Sequence, residues 1–181
     1  MYGMQYIQQT IVGIDGSEAR FFGYVADNSE EMEPDRIRPA ILILPGGGYA
    51  MTSDREAEPV ALQFLAKGFA VFVLRYSVQP SRYPVALLDK FSIEKHIDAK
   101  TPPVFVWHTM TDDAVPVENT LMLIQACRAA GVSIEAHLFP EGSHGLSLAN
   151  AETAGNGFYA HIVECVQCWP DLAEAWLRRL F

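Results

Sequence analysis

The sequence of 181 residues has few basic side chains, few cysteines and no long apolar run. Thirteen lysines and arginines stand against 22 acidic residues, and the net charge is -9. The basic residues form no cluster that could neutralise a row of phosphates, and no stretch reaches the roughly 18 apolar residues of a membrane span. We therefore expect neither nucleic acid nor a membrane as a partner.

Cysteine is scarce, with only Cys127, Cys165 and Cys168 in the chain. Three thiols are too few for a disulfide framework, and the Cys165/Cys168 pair has redox spacing without the second pair that a zinc site needs. We expect a structural role for these thiols, with no metal and no cofactor. The first ten residues also lack a basic region followed by an apolar run, so a cytoplasmic location is expected.

What the sequence does contain is enough apolar material for one core, since half of its residues are hydrophobic. A single domain over 1–181 is therefore expected. Short apolar runs predict buried strands that alternate with helical patterns, which predicts an α/β domain with a mostly parallel sheet flanked by helices in three layers. The predicted strands are 19–27, 40–44, 69–74, 104–107 and 132–139. The alternation in the last of them predicts one face with Val132, Ile134, Ala136 and Leu138 and a wetter face with Ser133, Glu135 and His137. The predicted helices are one with apolar spacing over 60–65 that stops at Gly68, then 84–98, 118–130, and most of 157–181 with a break or restart at Trp169-Pro170.

Three loops follow predicted strands at their carboxyl ends, where ligands bind in open α/β sheets. Gly46, Gly47 and Gly48 in the first loop either bring N–H groups to a ligand, as in an oxyanion hole, or form a tight turn. In the second loop, Asp112 and Asp113 either orient a histidine or interact with the next helix dipole. The third loop holds His144, whose imidazole is the usual proton shuttle near neutral pH.

The order of glycine loop, acid and histidine resembles the α/β-hydrolase superfamily, in the acetyl-esterase or xylan-esterase-like group. This resemblance implies that Asp112 is the triad acid, that His144 is the base, and that Gly47 and Gly48 supply oxyanion N–H groups. It also implies hydrolysis of short acyl esters, such as acetyl esters of sugars. The resembling segments are 45–49, 53–56, 82–84 with Asp89, 107–116 and 142–145.

The family's nucleophile segment is missing from this sequence. No Gly-x-Ser-x-Gly occurs in the 181 residues, and Asp89 runs directly into 90–97, which resembles the stretch just before the acid strand. The chain is thus expected to be a shortened hydrolase with impaired activity. Residual turnover would need a water activated by His144 or another serine, such as Ser53 or Ser77, although Ser53 has helix-capping spacing with Glu56.

Two other functions stay open. The first is a non-catalytic module that keeps the fold and binds a small ester ligand, or a scaffold that forms homo-oligomers. The second is a metal-dependent hydrolase that uses His108, Asp112, Asp113 and His144, although no HExxH or comparable spacing supports it. A small-molecule ester is the expected substrate or ligand.

Overall fold

The structure is a computed structural model that describes residues 3–13, 16–48, 50–78, 93–155 and 159–181. The chain divides into two compact units, Met1–Arg82 together with Phe181, and Tyr83–Leu180. Both units combine strands and helices, so the predicted α/β class is confirmed. The expectation of a single domain over 1–181 stays a prediction.

The first unit contains a four-stranded sheet in the order β1-β2-β4-β3. Strand β2 pairs antiparallel with β1 and β4, whereas β3 pairs parallel with β4. A short 3-10 turn, Asp54–Glu56, and one helix lie between β3 and β4 in the chain. The elements are β1 (Met4–Val12), β2 (Glu18–Ala26), β3 (Ala40–Ile43), α1 (Glu58–Ala66) and β4 (Ala70–Arg75).

The core of this unit lies around β4, which is paired on both edges. Val71 and Val73 of β4 are fully buried, and Phe64 of α1 packs edge-on against Phe69 at 5.9 Å between ring centroids. The continuous apolar run predicted this central strand correctly. The prediction that 40–44 is a buried strand was wrong in its burial, because β3 lies at the edge of the sheet and Ala40 and Leu42 are exposed. Strand β1 was not predicted, because eight of its nine residues are exposed and its sequence has no sustained apolar alternation.

The second unit contains a two-stranded parallel sheet, in which β5 pairs with β6 from Val104↔Ile134 to Thr109↔Phe139. Helix α2 ends at Gly131, which has a left-handed φ of 73°, as the sequence predicted. Short 3-10 turns occupy Ile93–His96, Tyr159–His161 and Glu164–Val166. The elements are β5 (Val104–Thr109), α2 (Glu118–Ala130), β6 (Ile134–Phe139) and α3 (Trp169–Leu180).

Two helix predictions in this unit need comment. The predicted helix 84–98 lies largely outside the described residues, and its described part includes the 3-10 turn at 93–96. The prediction of helix over most of 157–181 was wrong for 159–166. Helix α3 begins at Trp169, where the sequence predicted a break or restart. Pro170 fits in the first turn because the N–H groups there have no intrahelical acceptor.

The prediction that the face of Val132, Ile134, Ala136 and Leu138 is the buried one was wrong at two positions of β6. Ala136 and Leu138 are exposed, whereas Glu135 and His137 on the opposite face are half-buried. Phe105, which contacts the His137 ring, also contacts Trp176 of α3, and Arg179 of the same helix pairs with Glu135. Paired polar groups therefore occupy the covered face, a possibility that hydrophobic alternation does not reveal. No helix among the described residues is long and apolar enough to cross a membrane.

Candidate active site

The acid loop begins directly after β5, which ends at Thr109. Three residues later, Oδ1 of Asp112 accepts hydrogen bonds from the N–H groups of Ala114 at 2.9 Å and Val115 at 2.8 Å. The side chain is only 9% exposed. These two bonds fold the loop around its own carboxylate and leave Oδ2 to bind another group.

That other group is the imidazole of His144, in the loop that follows β6. Because β5 and β6 are adjacent and parallel, their carboxyl ends lie at the same edge, with Thr109 opposite Phe139. His144 Nδ1 lies 3.0 Å from Asp112 Oδ2. The carboxylate accepts only, so Nδ1 carries the proton and Nε2 is left to take one from another group. The imidazole is 54% exposed.

The electrostatics of Asp112 favour its charged form. Burial raises the pKa of its carboxyl, but the N–H of Val115, the imidazole of His144 and the N–H of Ala114 outweigh burial and hold that pKa below its ordinary value. Asp112 is therefore ionised near neutral pH. A charged acid beside the Nδ1–H orients the ring and stabilises the imidazolium that forms when Nε2 accepts a proton.

Further side chains tie the histidine loop to the acid loop. Asp113 Oδ1 accepts a hydrogen bond from the backbone N–H of His144 at 3.1 Å. The Thr111 hydroxyl accepts one from the N–H of Gly142 at 2.8 Å, and the buried Thr109 hydroxyl donates to the Gly142 carbonyl at 2.7 Å. None of these positioning bonds was predicted, since a hydrogen bond from a threonine or aspartate side chain to a distant backbone group leaves no pattern in the sequence.

A second histidine supports the acid from the other side. His108 Nε2 lies 3.0 Å from the Val115 carbonyl and 3.3 Å from Asp112 Oδ2. Both oxygens can only accept when Asp112 is ionised, so Nε2 carries a proton, and Nδ1 can then accept from the Thr120 hydroxyl at 2.6 Å. His108 therefore fixes the acid loop, and its side chain is only 10% exposed.

Leu146 anchors the histidine loop to the hydrophobic core of the second unit. It is 2% exposed and packs with Ala149, Val163 and Val166. Gly142 and Gly145 flank His144 at positive φ values of 141° and 70°, which allow the sharp path from β6 into this core. The histidine thus stands on a short loop that is fixed at both ends.

The glycine loop lies in the first unit, after β3. Gly46 donates its N–H to Glu56 Oε2 at 2.8 Å, and its carbonyl accepts from the Ser53 N–H at 2.8 Å. Gly47 and Gly48 have φ values of 140° and 60°. Their N–H groups donate to none of the residues that the structure describes, which leaves two backbone donors available.

The predicted cap formed by Ser53 was wrong. The Ser53 side chain makes no capping hydrogen bond, and α1 begins at Glu58 after Ala57. The reason is that the Glu56 carboxylate turns to the Gly46 N–H, ten residues earlier in the chain, instead of closing a local capping box. Glu56 therefore helps to shape the glycine loop.

Three serines that the structure describes show no activated hydroxyl. Ser53 is buried, and Ser77 donates its hydroxyl to the Glu18 carbonyl at 2.9 Å. Ser143 Oγ is buried with no hydrogen-bond partner among the described residues. Within the described part of the chain, no group of three or more His, Cys, Asp and Glu side chains could hold a metal ion.

Comparison with known proteins identifies the family. The model of the prolyl oligopeptidase family matches residues 63–167, which is more than half of the 181 residues. The chain belongs to this family of α/β-hydrolases. The matched range includes both the acid loop and the histidine loop of the hydrolase.

Solved structures agree with this assignment. The α/β-hydrolase enzyme MGS-M1, from a Medee basin deep-sea metagenome library, is 33% identical, covers 98% of both chains and has a TM-score of 0.84. An acetyl ester-xyloside bifunctional hydrolase from Caldicellulosiruptor lactoaceticus is 24% identical, covers 90% of this chain and 88% of that one, and has a TM-score of 0.69. The second likeness shows the fold alone. An α/β-hydrolase fold is therefore the shared architecture.

One curated relative matches a shorter part of this hydrolase. Endo-1,4-beta-xylanase B of Butyrivibrio fibrisolvens is 43% identical over 65 residues, which are 36% of this chain. The match spans only 10% of the length of that relative. The similarity is therefore local to one part of a much longer protein.

Proposed function

We propose that this chain carries the acid and base of an ester hydrolase that acts on short acyl esters. His144 is the general base in this proposal, and Asp112 orients it. The 3.0 Å contact between Asp112 Oδ2 and His144 Nδ1 carries the proposal, because it holds a charged acid against one ring nitrogen and leaves the other available. In the first unit, the unused N–H groups of Gly47 and Gly48 are the proposed oxyanion donors.

Turnover by this chain is proposed to be low, because Ser53, Ser77 and Ser143, as the structure describes them, show no activated hydroxyl. A serine in a Gly-x-Ser-x-Gly elbow is absent from the sequence. In a comparable protease site, loss of the nucleophile alone lowers turnover about a millionfold. Attack by a water that His144 deprotonates is the route that remains, and it lacks the covalent intermediate that makes serine hydrolases fast.

Acetylated sugars are the proposed substrate or ligand class. Two proteins similar to this chain support this proposal by their names, one an acetyl ester-xyloside hydrolase and the other a xylanase. The net charge of -9 also suits a neutral ester better than an anionic substrate.

A second candidate function is binding of the same esters without turnover. The missing nucleophile favours it, because the acid and histidine geometry is intact while the attacking group is absent. In a binding module the imidazole contributes at most one contact to the ligand. Removal of His144 would then leave affinity nearly unchanged.

One experiment separates these functions. Acetylated and deacetylated xylo-oligosaccharides are incubated with the wild-type chain, with His144→Ala, and with His137→Ala as a matched control. His137 pairs with Glu135 on β6 and has no contact with the proposed dyad. Acetate release is measured by NMR, and binding is measured by saturation transfer from protein to sugar in the same samples.

Acetate release that His144→Ala abolishes and His137→Ala retains would support hydrolysis. Saturation transfer to the acetylated sugar in all three proteins, without acetate release, would support the binding function. The absence of both acetate release and saturation transfer in a folded sample would reject acetylated sugars as the ligand class.

A further inference from the structure

Cys165 and Cys168 lie on one turn, and both are exposed. The turn contains the 3-10 segment Glu164–Val166, and Gln167 continues it with φ of -58° and ψ of -17°. In 3-10 geometry, residues three apart are eclipsed and are separated by a rise of about 6 Å. That separation suits a disulfide, whose Cα atoms lie about 4.4 to 6.8 Å apart.

The thiol of Cys168 is already directed toward Cys165. Its Sγ lies 3.5 Å from the Cys165 carbonyl oxygen, so the side chain folds back over the turn. Cys127, the third thiol, is buried in α2. Cys127 should therefore stay reduced when the exposed pair is oxidised, and it serves as an internal reference for a free thiol.

The residues between and beside the two cysteines anchor the segment that follows His144. Gln167 donates its side-chain amide to the Ala149 carbonyl at 2.9 Å, and the Trp169 indole N–H donates to the Ser147 carbonyl at 2.8 Å. The N–H of Val163 also donates to the Ala149 carbonyl, at 3.0 Å. The cysteine turn and the histidine loop are thus joined by hydrogen bonds to the backbone.

The anchored segment is strained. Ser147 and Ala149 both have a φ of 54°, a left-handed conformation that non-glycine residues adopt at a cost. Such a conformation persists only where surrounding contacts hold it. Ser147 lies three residues after His144, so loss of the Gln167 and Trp169 bonds would relax the strain directly beside the histidine loop.

We propose that Cys165 and Cys168 form a dithiol redox site whose disulfide locks the anchor of the His144 loop. With glutathione disulfide as oxidant, one thiolate attacks a glutathione sulfur and releases one glutathione thiolate. The second thiolate then attacks the mixed disulfide, forms the Cys165–Cys168 bond and releases the second glutathione. Two protein thiols are oxidised while one glutathione disulfide is reduced to two glutathiones.

The disulfide restricts opening of the turn that carries Gln167 and supports Trp169. The chain-entropy relation for a closed loop of four residues gives an upper limit of about twentyfold on how much it can lower the equilibrium population of the open turn. Backbone amides of 145–149 should therefore exchange with deuterium more slowly in the oxidised chain, by up to about twentyfold. This effect requires no catalytic turnover and is independent of the proposed ester chemistry.

The test equilibrates the purified chain in glutathione buffers from reducing to oxidising and then alkylates the free thiols in denaturant, so that buried Cys127 is labelled as well. Mass spectrometry should show loss of two hydrogen atoms, with Cys127 the only alkylated thiol. Cys165→Ser and Cys168→Ser each serve as a control that cannot form the bond, and neither should gain protection at 145–149 under oxidising conditions.

Two results would overturn the proposal. Reduced thiols, or separate glutathione adducts on Cys165 and Cys168 in an oxidising buffer, would show that the turn does not close a disulfide. A disulfide that forms while deuterium exchange at 145–149 is unchanged would show that the cysteine pair is not coupled to the histidine loop.

Discussion

Asp113 accepts a hydrogen bond from the backbone N–H of His144 at 3.1 Å. The preceding residue, Asp112, binds the imidazole of the same histidine at 3.0 Å. Two successive carboxylates therefore hold one residue, one through its main chain and the other through its side chain. The direction in which His144 Nε2 points depends on both.

Replacement of Asp113 by alanine should loosen the histidine loop. The bond is exposed, so we expect the free energy of unfolding to fall by about 0.5 to 1 kcal/mol. Asp113→Asn keeps an amide oxygen as acceptor and should lose less than half as much. Urea denaturation of the three proteins measures the difference, and equal losses for the two variants would show that the negative charge of Asp113, and not its hydrogen bond, matters.

The depressed pKa of Asp112 predicts a dependence of stability on pH. A carboxyl whose pKa is lower in the folded chain than its ordinary 3.8 contributes stability above that value and loses the contribution as pH falls through the folded pKa. Asp112→Asn still accepts the N–H bonds of Ala114 and Val115 but cannot titrate. The wild type should therefore lose its advantage in free energy of unfolding over Asp112→Asn as pH falls from about 5 to about 2. A difference that stays constant or grows in acid would contradict this explanation.

Gly142 is predicted to be intolerant of any side chain. A Cβ at this position would lie 2.6 Å from Leu146 Cδ1 and 2.8 Å from Thr109 Cγ2, at a φ of 141°. We expect Gly142→Ala to lower the free energy of unfolding by about 2 to 4 kcal/mol. Gly131→Ala is the matched control, since its φ is 73° and no atom lies within 4 Å of the added Cβ. Its cost should be only about 1 to 2 kcal/mol, and equal costs by thermal denaturation would contradict the steric argument.

Sequence patterns predicted the parts of the fold that rest on local signals. The apolar runs of β3, β4 and β5 are short and bounded by turns, and the spacing of α2 with Gly131 marks a helix and its end. Burial did not follow from the same signal, since β4 is largely buried whereas two of the four residues of β3 are exposed. Strand β1 lacks such a signal, because its order comes from pairing with β2 and not from burial of its own side chains. The covered face of β6 was predicted wrongly because a hydrophobic pattern assigns Glu135 to the solvent side. In the structure Glu135 lies on the covered side, where it forms an ion pair with Arg179.

In the candidate site too, some contacts were predictable from the sequence and others were not. That Asp112 and His144 come together was foreseeable, because parallel neighbouring strands bring their following loops to one edge. The contributions of Thr109, Thr111 and Glu56 were not, since they are hydrogen bonds to backbone far away in the chain. Residues of these types occur throughout any sequence, and only the folded path of the chain selects the ones that bind.

The central claim is that this chain keeps an oriented base without a nucleophile. The measurement that tests it most directly is hydrolysis of p-nitrophenyl acetate by the purified, folded chain beside His144→Ala. Rates close to the uncatalysed background in both proteins are the predicted result, because attack by a water that His144 activates lacks the covalent intermediate of serine hydrolases. A burst of p-nitrophenolate followed by saturable turnover, both lost in His144→Ala, would contradict the claim, because such a burst requires a nucleophile in the chain.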